Sequence, residues 1–288
     1  MATGILVILD DVVAMTKVAA KKTSALLGDD LAVNAEKATG FKASRELPVI
    51  WAITKGSFIN KLIILPIAFL LSAFMPWLIV PILLIGGAYL SYEGAEKVME
   101  WLFHQQHEPV AAMESEKSEE IVEKESDKIK AAIRTDFILS IEIIVIALNT
   151  VMEQPLLTQV FVVAAIAVAA TIGVYGIVAL LVRMDDAGIS LIDRAKDRSG
   201  ALARLMRLTG KILLSALPHI IALLGVVGTA AMLLVGGGMF VHNIDSVHHL
   251  LAFMPSLLPD LTVGMVVGLI VVGLLKLKSL TVSAMGGS

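Results

Sequence analysis

The chain has 288 residues, of which 57% are hydrophobic and only 17% are charged, and its mean hydropathy is +0.85. Soluble domains contain about 45–50% apolar and ~25% charged residues, so a water-soluble fold of this size could not bury so much apolar surface. The net charge of −3 gives no basic field for nucleic acid, and the lack of cysteine excludes disulfides and thiol chemistry. Composition therefore predicts an integral membrane protein.

The N-terminal region, residues 1–57, mixes apolar and charged positions instead of forming a long apolar run. Leu9, Val12 and Thr16 recur at a helical period, and lysines lie on the opposite face. This pattern predicts an amphipathic helix that lies at the membrane interface or faces water, and not a span. The first nine residues contain no basic residue, so a cleaved signal peptide is not expected.

Six apolar runs follow along the chain, at residues 62–74, 77–92, 137–152, 159–182, 212–241 and 261–275. A helix needs about 20 residues to cross a bilayer core of ~30 Å, which the run at 159–182 exceeds. The run at 212–241 contains Pro218 and Gly225 and is too long for one upright helix. We interpret it as a tight pair, which brings the total to about seven apolar segments.

Basic residues near the ends of spans indicate the cytoplasmic side. They place 1–61 and 183–211 in the cytoplasm, whereas the loop at 153–158 has no lysine or arginine and suits the outside. Residues 104–130 contain eight acids and four lysines. This composition predicts a solvated linker. A single crossing at 212–241 would fit the charges near the C-terminus better than a pair, so the topology there stays open.

The predicted fold is an all-α, polytopic transmembrane bundle with two related halves and broken or re-entrant helices. Its regions are a cytoplasmic amphipathic segment (1–57), a broken transmembrane pair (58–103), a charged cytoplasmic linker (104–132), two transmembrane helices (133–182), a cytoplasmic amphipathic helix (183–210), a second broken pair (211–242), and a loop with the last transmembrane helix (243–288).

The two halves are suggested by an internal match at a shift of 150 residues. Lys61-Leu-Ile-Ile falls on Lys211-Ile-Leu-Leu, and Leu83-Leu-Ile-Gly-Gly-Ala falls on Leu233-Leu-Val-Gly-Gly-Gly, without a gap between the two matches. Apolar sequence also matches itself by chance, so both interpretations stay open. Short apolar segments interrupted by proline or glycine at matching positions of two halves are typical of transport sites.

Glu142 is the most informative single residue, because it lies among isoleucines inside an apolar run. An acid within a span usually faces a cavity or a partner. Asp136 lies six positions earlier, and Asn149 continues the same polar face one heptad later. The functional interpretation is proton or cation coupling, and the alternative is a carboxyl that is paired with Lys61, Lys211 or Arg134 or that lies near the membrane interface.

The other candidate pathway residues come from the repeat and from polar groups in apolar runs. Lys61 and Lys211 would be equivalent cations near a cavity mouth, and His219 would shuttle a proton or hydrogen-bond across helices. The paired glycines would give backbone flexibility or close approach at Gly86, Gly87, Gly236 and Gly237. The chain contains no nucleotide, metal or nucleophile motif, so we expect no enzyme activity, catalytic residue, metal or cofactor.

Several motifs together carry a resemblance to a known family. They are Leu9-Asp-Asp, Ala19-Ala-Lys-Lys-Thr, Arg45-Glu-Leu-Pro, Gly56-Ser-Phe-Ile-Asn-Lys, Ala132-Ile-Arg-Thr-Asp-Phe-Ile-Leu-Ser-Ile-Glu and Gly236-Gly-Gly. With them, the chain resembles the bacterial YedI-like inner-membrane proteins, a family of unknown function, over nearly its whole length. The resemblance implies a multi-pass protein of the bacterial cytoplasmic membrane and transfers no substrate and no catalytic residue.

Two functions from different classes remain. The first is a transporter or channel for a small solute or ion, in which Glu142 and Asp136 face a central cavity. The alternative is a non-transporting scaffold that binds partners or lipid through its cytoplasmic helices. The expected partners are membrane lipid, a small solute or ion and, as an open alternative, a second copy of the chain. A wet, polar cavity at Glu142 would favour transport, whereas a dry interior with Glu142 tied to lysine or arginine would favour the scaffold.

Overall fold

The computed structural model describes residues 2–38, 45–103, 118–255 and 257–285, and these residues form helices and turns without a strand. The helices are α1 (Ala2–Ala38), α2 (Glu46–Phe74), α3 (Ile79–Leu102), α4 (Ser118–Val151), α5 (Leu156–Val182), α6 (Met184–Arg194), α7 (Ala201–Val241), α8 (Asp245–Leu251) and α9 (Leu258–Met285). A short 3-10 helix, Pro76–Leu78, precedes α3. The predicted all-α class is confirmed for this part of the chain.

Five helical stretches in the described residues are long and apolar enough to cross a membrane. They are Glu46–Phe74, Pro76–Leu102, Leu156–Val182, Ala201–Val241 and Leu258–Leu277. The second half of α4 packs among them but carries Asp136 and Glu142, which lower its hydropathy. The predicted count of about seven segments is therefore not confirmed, although the chain remains consistent with a multi-pass membrane protein.

The outer surface of the bundle is apolar, as a bilayer requires. Large hydrophobic side chains lie exposed along α2 and α5, far beyond the scattered residues that soluble surfaces carry. The most exposed of them are Trp51, Leu62, Leu70, Phe74, Leu156, Leu157, Phe161, Ile172 and Leu180.

The break that separates α2 from α3 lies at the predicted position. Met75 leaves the helical backbone with φ −142° and ψ 57°, and Pro76 opens the 3-10 turn. Proline cannot continue the preceding helix because it lacks an N–H and its ring blocks the previous turn. The two helices then diverge, since α2 packs on α4 and α5 whereas α3 packs on α7 and α9.

The run at 212–241 forms part of one continuous helix and not the predicted tight pair. α7 has 41 residues and includes Pro218 in its interior. In an apolar environment no water is available for backbone groups freed by a break, so continuing the helix keeps nearly all of them paired. Its length of about 60 Å is twice the ~30 Å bilayer core, so α7 extends well beyond one span.

The predicted cytoplasmic helix at 183–210 is divided between two elements. α6 ends at Arg194, and α7 begins at Ala201 after a turn in which Gly200 adopts a φ of 87°. α6 packs on the first half of α7 through Gly188 and Gly210, where a Cβ on Gly188 would lie 2.9 Å from the Gly210 carbonyl oxygen.

The second half of the N-terminal helix α1 lies in the interior of the bundle, which the prediction of an amphipathic segment at 1–57 did not foresee, whereas most residues from Leu9 to Val18 are exposed. The helix packs against α4, α5 and α7. Ala19 contacts the core near Ala147, and Ala38 belongs to the core near Ala132 and Val182 at the other end. Small side chains let helices approach closely, and this allows α1 to pass between longer apolar helices despite its charges.

α3, α7 and α9 form a second tightly packed group that depends on glycine. A Cβ on Gly237 would collide with the Asp260 carbonyl and with Gly264, and one on Gly268 would collide with the Ser91 carbonyl. The sequence Gly264-Met-Val-Val-Gly268 therefore makes the close helix contact that its spacing predicts. Gly87 likewise packs against the backbone of α7, with its Cβ position 2.7 Å from the Gly236 carbonyl oxygen.

The predicted two halves do not share one structure. Lys61 and Gly86 lie on two different helices, α2 and α3, whereas the matched residues Lys211 and Gly236 lie on the single helix α7. Lys61 is buried and Lys211 is exposed. The repeat is therefore not confirmed, because similar apolar sequence folds here in two different ways.

The charged linker at 104–132 is described only in part. Residues 104–117 lie outside the described residues, and 118–132 form the beginning of α4. Near this beginning Glu125 accepts a hydrogen bond of 2.6 Å from Arg45 at the start of α2. The hydrogen bond and the charge of Glu125 raise the pKa of Arg45 above its ordinary value.

Candidate functional site

A cluster of polar side chains lies in the apolar interior where α1, α2, α4 and α5 meet. We call it the Asp136 cluster. Its members are almost completely buried: Asp30, Asn34, Ser57, Asn60, Lys61, Asp136, Ser140 and Tyr175. Buried polar groups persist in such an environment only when they are hydrogen-bonded to one another.

Helical spacing brings these side chains together. Asp30 and Asn34 lie four residues apart on α1, and Asp136 and Ser140 lie four residues apart on α4. Residues three or four apart share one face of a helix. The Ser57, Asn60 and Lys61 positions on α2 have the same spacing, and Tyr175 reaches the cluster from α5.

Asp136 is the centre of the cluster and has no solvent exposure. Its Oδ1 accepts hydrogen bonds of 2.8 Å from Ser57 Oγ and 2.9 Å from Tyr175 Oη, and its Oδ2 accepts one of 3.0 Å from Asn60 Nδ2. The Lys61 ammonium lies 3.5 Å from Oδ1. Lys61 also donates to Ser57 Oγ at 2.9 Å and to Ser140 Oγ at 2.8 Å.

The cluster continues from Tyr175 into α1. The Tyr175 hydroxyl lies 2.9 Å from Asn34 Oδ1, and Asn34 Nδ2 donates to Asp30 Oδ1 at 2.6 Å. Asn34 Nδ2 also donates to the Asp30 carbonyl at 2.9 Å. A chain of polar atoms therefore links Lys61 to Asp30 through the middle of the bundle.

A cavity of about 630 Å³ lies beside this cluster, between α1, α3, α4, α7 and α9. We call it the Glu142 cavity. It lies toward the end of the bundle that carries α8 and the turn between α4 and α5, which we call the α8 end; the opposite end is the α6 end. The cavity is lined on its polar side by Lys22, Asp29, Glu142, Asn149, His242, Asn243 and Asp260.

The cavity is rich in carboxylates. Its lining contains three carboxylates, those of Asp29, Glu142 and Asp260, but only one lysine and one histidine. Glu142 makes no hydrogen bond or ion pair with another described residue, and Asp260 Oδ1 is buried without a hydrogen-bond partner among them. Carboxylate oxygens without protein partners in a cavity favour water or a cation as their ligand.

The described residues contain no group of three histidine or acidic side chains placed to hold a metal ion. The carboxylates of the Glu142 cavity are therefore spread along its walls. A cation in a cavity of this size would keep part of its water shell, because the volume corresponds to roughly 20 water molecules at ~30 Å³ each.

A further set of polar contacts lies on the side of Asp136 away from the cavity. Thr135 Oγ1 donates a hydrogen bond of 2.9 Å to Glu93, which also accepts from Lys37 Nζ at 2.7 Å and from Tyr89 at 2.6 Å. These side chains join α1, α3 and α4. Polar groups therefore extend from the Glu142 cavity toward the α6 end of the bundle.

The structure brings together four of the predicted pathway residues. Glu142 and Asn149 line the cavity, and Asp136 and Lys61 form the buried pair next to it. The alternative in which Glu142 pairs with Lys61 is wrong, because Lys61 contacts Asp136. The predicted glycines Gly86, Gly87, Gly236 and Gly237 pack helices against each other, and only Gly238 among the glycines of α7 lines the cavity.

Two predicted pathway residues lie elsewhere. Lys211 is exposed near the α6 end, beside Arg204 and Arg207, far along α7 from the cavity. His219 is also exposed, and its Nδ1 lies 2.9 Å from the Ser215 carbonyl of its own helix. Neither residue contributes to the cavity or to the Asp136 cluster, because α7 is one helix and its first half lies away from both.

Several residues of the site were missed in the sequence. Asp29, Asp30 and Asn34 belong to a stretch that reads as polar surface, and Asp260 lies at the start of the last apolar run. Asp30 and Asn34 could have been found from the sequence, because they lie four residues apart with only leucine, alanine and valine between them. Tyr175 gave no such signal, since a tyrosine in an apolar run is usually packed for its ring.

A family model described as "Protein of unknown function (DUF808)" matches residues 2–277. The chain belongs to the DUF808 family. The Asp136 cluster and the Glu142 cavity both lie within the matched residues. Neither the curated proteins nor the solved structures contain a match. The finer likeness to YedI-like proteins stays a prediction from the motifs.

Proposed function

We propose that this member of the DUF808 family is a multi-pass protein of the bacterial inner membrane that moves small cations through the Glu142 cavity. The observation that carries the proposal is a cavity of about 630 Å³ whose walls hold three carboxylates, one of which, Asp260, has a buried oxygen without a hydrogen-bond partner among the described residues. Intramembrane acids that face a cavity mark ion pathways more often than structural contacts.

The charge of the walls selects the class of solute. Asp29, Glu142 and Asp260 outnumber Lys22, and His242 adds a positive charge only when protonated. A cation would replace solvent as the partner of the free carboxylate oxygens, whereas an anion would be repelled. The cavity favours transport over a scaffold, since a scaffold would not need an open, acid-lined volume between its helices.

Charge distribution supports the orientation. Residues 183–211, at the α6 end, contain seven lysines and arginines against four acids. Basic residues next to spans stay in the cytoplasm, so the α8 end and the mouth of the cavity would face outward. The first half of α1 lies toward the α8 end, since Ala38 at its other end is near Val182, so this orientation replaces the prediction that all of 1–61 is cytoplasmic. In this arrangement cations enter from outside and meet Glu142 before they reach the Asp136 cluster.

Uptake into vesicles tests the proposal. The purified full chain is reconstituted into liposomes, and uptake of Rb⁺ and of tetramethylammonium is followed under an inward gradient. We expect uptake above that of empty vesicles for at least one of these cations. Glu142→Gln should lower uptake to the level of empty vesicles, because it removes the charge but keeps the shape.

Glu153→Gln is the matched control, since Glu153 is exposed just beyond the end of the same helix and does not line the cavity. It should leave uptake unchanged. Wild-type vesicles that take up neither cation faster than empty vesicles would contradict the proposal. Equal uptake by wild-type protein and Glu142→Gln would remove Glu142 from the pathway.

A further inference from the structure

When both of its aspartates are ionised, the Asp136 cluster has more hydrogen-bond acceptors than its donors can satisfy and more negative than positive charge. We propose that it is a proton-binding site that holds one proton at neutral pH and releases it to the Glu142 cavity when a cation binds there. The coupling to a cation rests on the proposed function, whereas the proton site itself stands on the geometry of the cluster alone.

The first argument is a count of hydrogens at Tyr175. Its hydroxyl oxygen lies 2.9 Å from Asn34 Oδ1 and 2.9 Å from Asp136 Oδ1. A phenol has one hydrogen, and neither of those oxygens carries one when Asp136 is ionised. One of the two oxygen pairs therefore needs a hydrogen from the Asp136 carboxyl.

Turning the Asn34 amide does not remove this need. With its oxygen and nitrogen exchanged, Asn34 would donate to Tyr175, but its oxygen would lie 2.6 Å from Asp30 Oδ1 and 2.9 Å from the Asp30 carbonyl oxygen. The first pair of oxygens would need a hydrogen from the Asp30 carboxyl, and the second pair would have no hydrogen at all. The turned amide therefore also requires an extra proton and loses a hydrogen bond, so the proton belongs on Asp136.

The second argument is a count of charges. The cluster contains two carboxylates, Asp30 and Asp136, and one ammonium, Lys61, and all three are at most 3% exposed. An uncompensated carboxylate without water is costly by several kcal/mol, which a bound proton avoids. Lys37 does not supply the missing positive charge, because it is paired with Glu93.

The position of Asp30 in the sequence indicates where the proton leaves the cluster. Asp30 directly follows Asp29, whose side chain lines the cavity, whereas α2 with Lys61 contributes no residue to the lining, so the cavity is closer to the Asp30 side of the cluster. The titratable and charged groups that face Asp30 from the packed helices are Asp29 on α1, Lys61 on α2, Asp136 and Glu142 on α4 and Tyr175 on α5. A cation beside Asp29 and Glu142 lowers the cost of a second carboxylate charge, and the carboxyl then releases its proton to cavity water.

Infrared spectroscopy of the full chain in lipid nanodiscs tests the proton site without any transported solute. A protonated carboxyl has a carbonyl stretching band that an ionised carboxylate lacks and that heavy water shifts. We expect such a band in the wild type at neutral pH. Tyr175→Phe should move the band, because it removes the hydrogen-bond partner of the protonated carboxyl.

Asp136→Asn is the decisive variant. It removes the carboxyl that carries the proton, and its amide nitrogen can donate to Tyr175 in place of the protonated carboxyl. The band should be lost in Asp136→Asn and kept in Asp29→Asn, the matched control on the cavity wall. A wild type without the band, or an Asp136→Asn protein that keeps it in full, overturns the inference.

Coupling is tested in the same liposomes with a pH-sensitive dye inside. Rb⁺ uptake by the wild type should be accompanied by proton exit, and Asp136→Asn should take up Rb⁺ without moving protons. A carboxyl band that depends on Asp136 in a protein that moves no Rb⁺ supports the proton site and contradicts the proposed function. Rb⁺ uptake without proton exit in the wild type overturns the coupling.

Discussion

The pair formed by Lys61 and Asp136 is the chemically most unusual contact in the described residues, because both groups are almost completely buried in an apolar bundle. Bringing two charges out of water costs more than their attraction returns unless hydrogen bonds satisfy the remaining atoms. Ser57, Asn60 and Ser140 supply those hydrogen bonds. The pair therefore depends on the whole cluster, and the position of each helix depends on the pair.

Loss of Lys61 should be severe. Lys61→Met leaves the two carboxyls of the Asp136 cluster, Asp30 and Asp136, without their cation, and breaking a buried pair on one side costs about 3–5 kcal/mol. Lys211→Met is the control, since exposed substitutions usually change stability by less than about 0.5 kcal/mol. Thermal unfolding in detergent compares the two variants.

The double variant with Lys61→Met and Asp136→Asn should recover much of the lost stability, because Asp30, the one carboxyl left in the cluster, can hold a proton and no uncompensated charge then remains. Equal unfolding temperatures for Lys61→Met and Lys211→Met would show that the buried pair contributes nothing.

Close contact between the helices α3, α7 and α9 depends on glycines, whose side chain is a single hydrogen atom. The glycines at 87, 237, 264 and 268 sit where another backbone occupies the space of a side chain. Between helices in lipid there is little hydrophobic driving force, so close backbone contact replaces it. This group forms one wall of the Glu142 cavity, and its geometry therefore sets the cavity's width.

Glycine-to-alanine substitutions at two positions of α7 distinguish this packing role from the ordinary effect of helix propensity. Gly237→Ala should destabilise the protein by about 1–3 kcal/mol, because overpacking forces α7 and α9 apart. Gly225→Ala on the same helix has open space at its Cβ and should be neutral or up to ~1 kcal/mol stabilising. The monodisperse fraction after heating in detergent measures both variants. The packing role is rejected if Gly237→Ala tolerates heating as well as Gly225→Ala.

At the scale of the whole molecule, the bundle is asymmetric along its axis. An acid-lined cavity lies toward the α8 end, a buried charged cluster lies in the middle, and the basic turn between α6 and α7 lies at the α6 end. An apolar outer surface surrounds all three. The proposed pathway would therefore be open toward the α8 end and closed at the buried cluster.

The two ends should lie on opposite sides of the membrane. The chain has no cysteine, so a single introduced cysteine reports its own position. Asn149→Cys at the cavity and Ser199→Cys in the turn before α7 are both exposed positions. In intact spheroplasts, a membrane-impermeant maleimide should label Asn149→Cys, and it should label Ser199→Cys only after the membrane is opened. Labelling of both from the same side would contradict the orientation of the bundle.

The sequence alone determined the features that follow from local composition. Long uncharged runs had to be helices in an apolar environment, Pro76 had to end α2, and the spacing of Gly264 and Gly268 predicted close packing. Glu142 could be singled out because a carboxyl among isoleucines is costly at any position in such a run. These inferences needed only one segment at a time.

Tertiary structure decided everything that depends on which helices are neighbours. The charged helix α1 enters the bundle only because its alanines fit between α4, α5 and α7, and there Asp30 and Asn34 meet Tyr175, which is 141 residues beyond Asn34. The choice between one helix and two at 212–241 also lay outside the sequence, since the cost of a break depends on what surrounds it. The lysines at 61 and 211, alike in their local sequence, differ for the same reason: burial belongs to the assembled bundle and not to the segment.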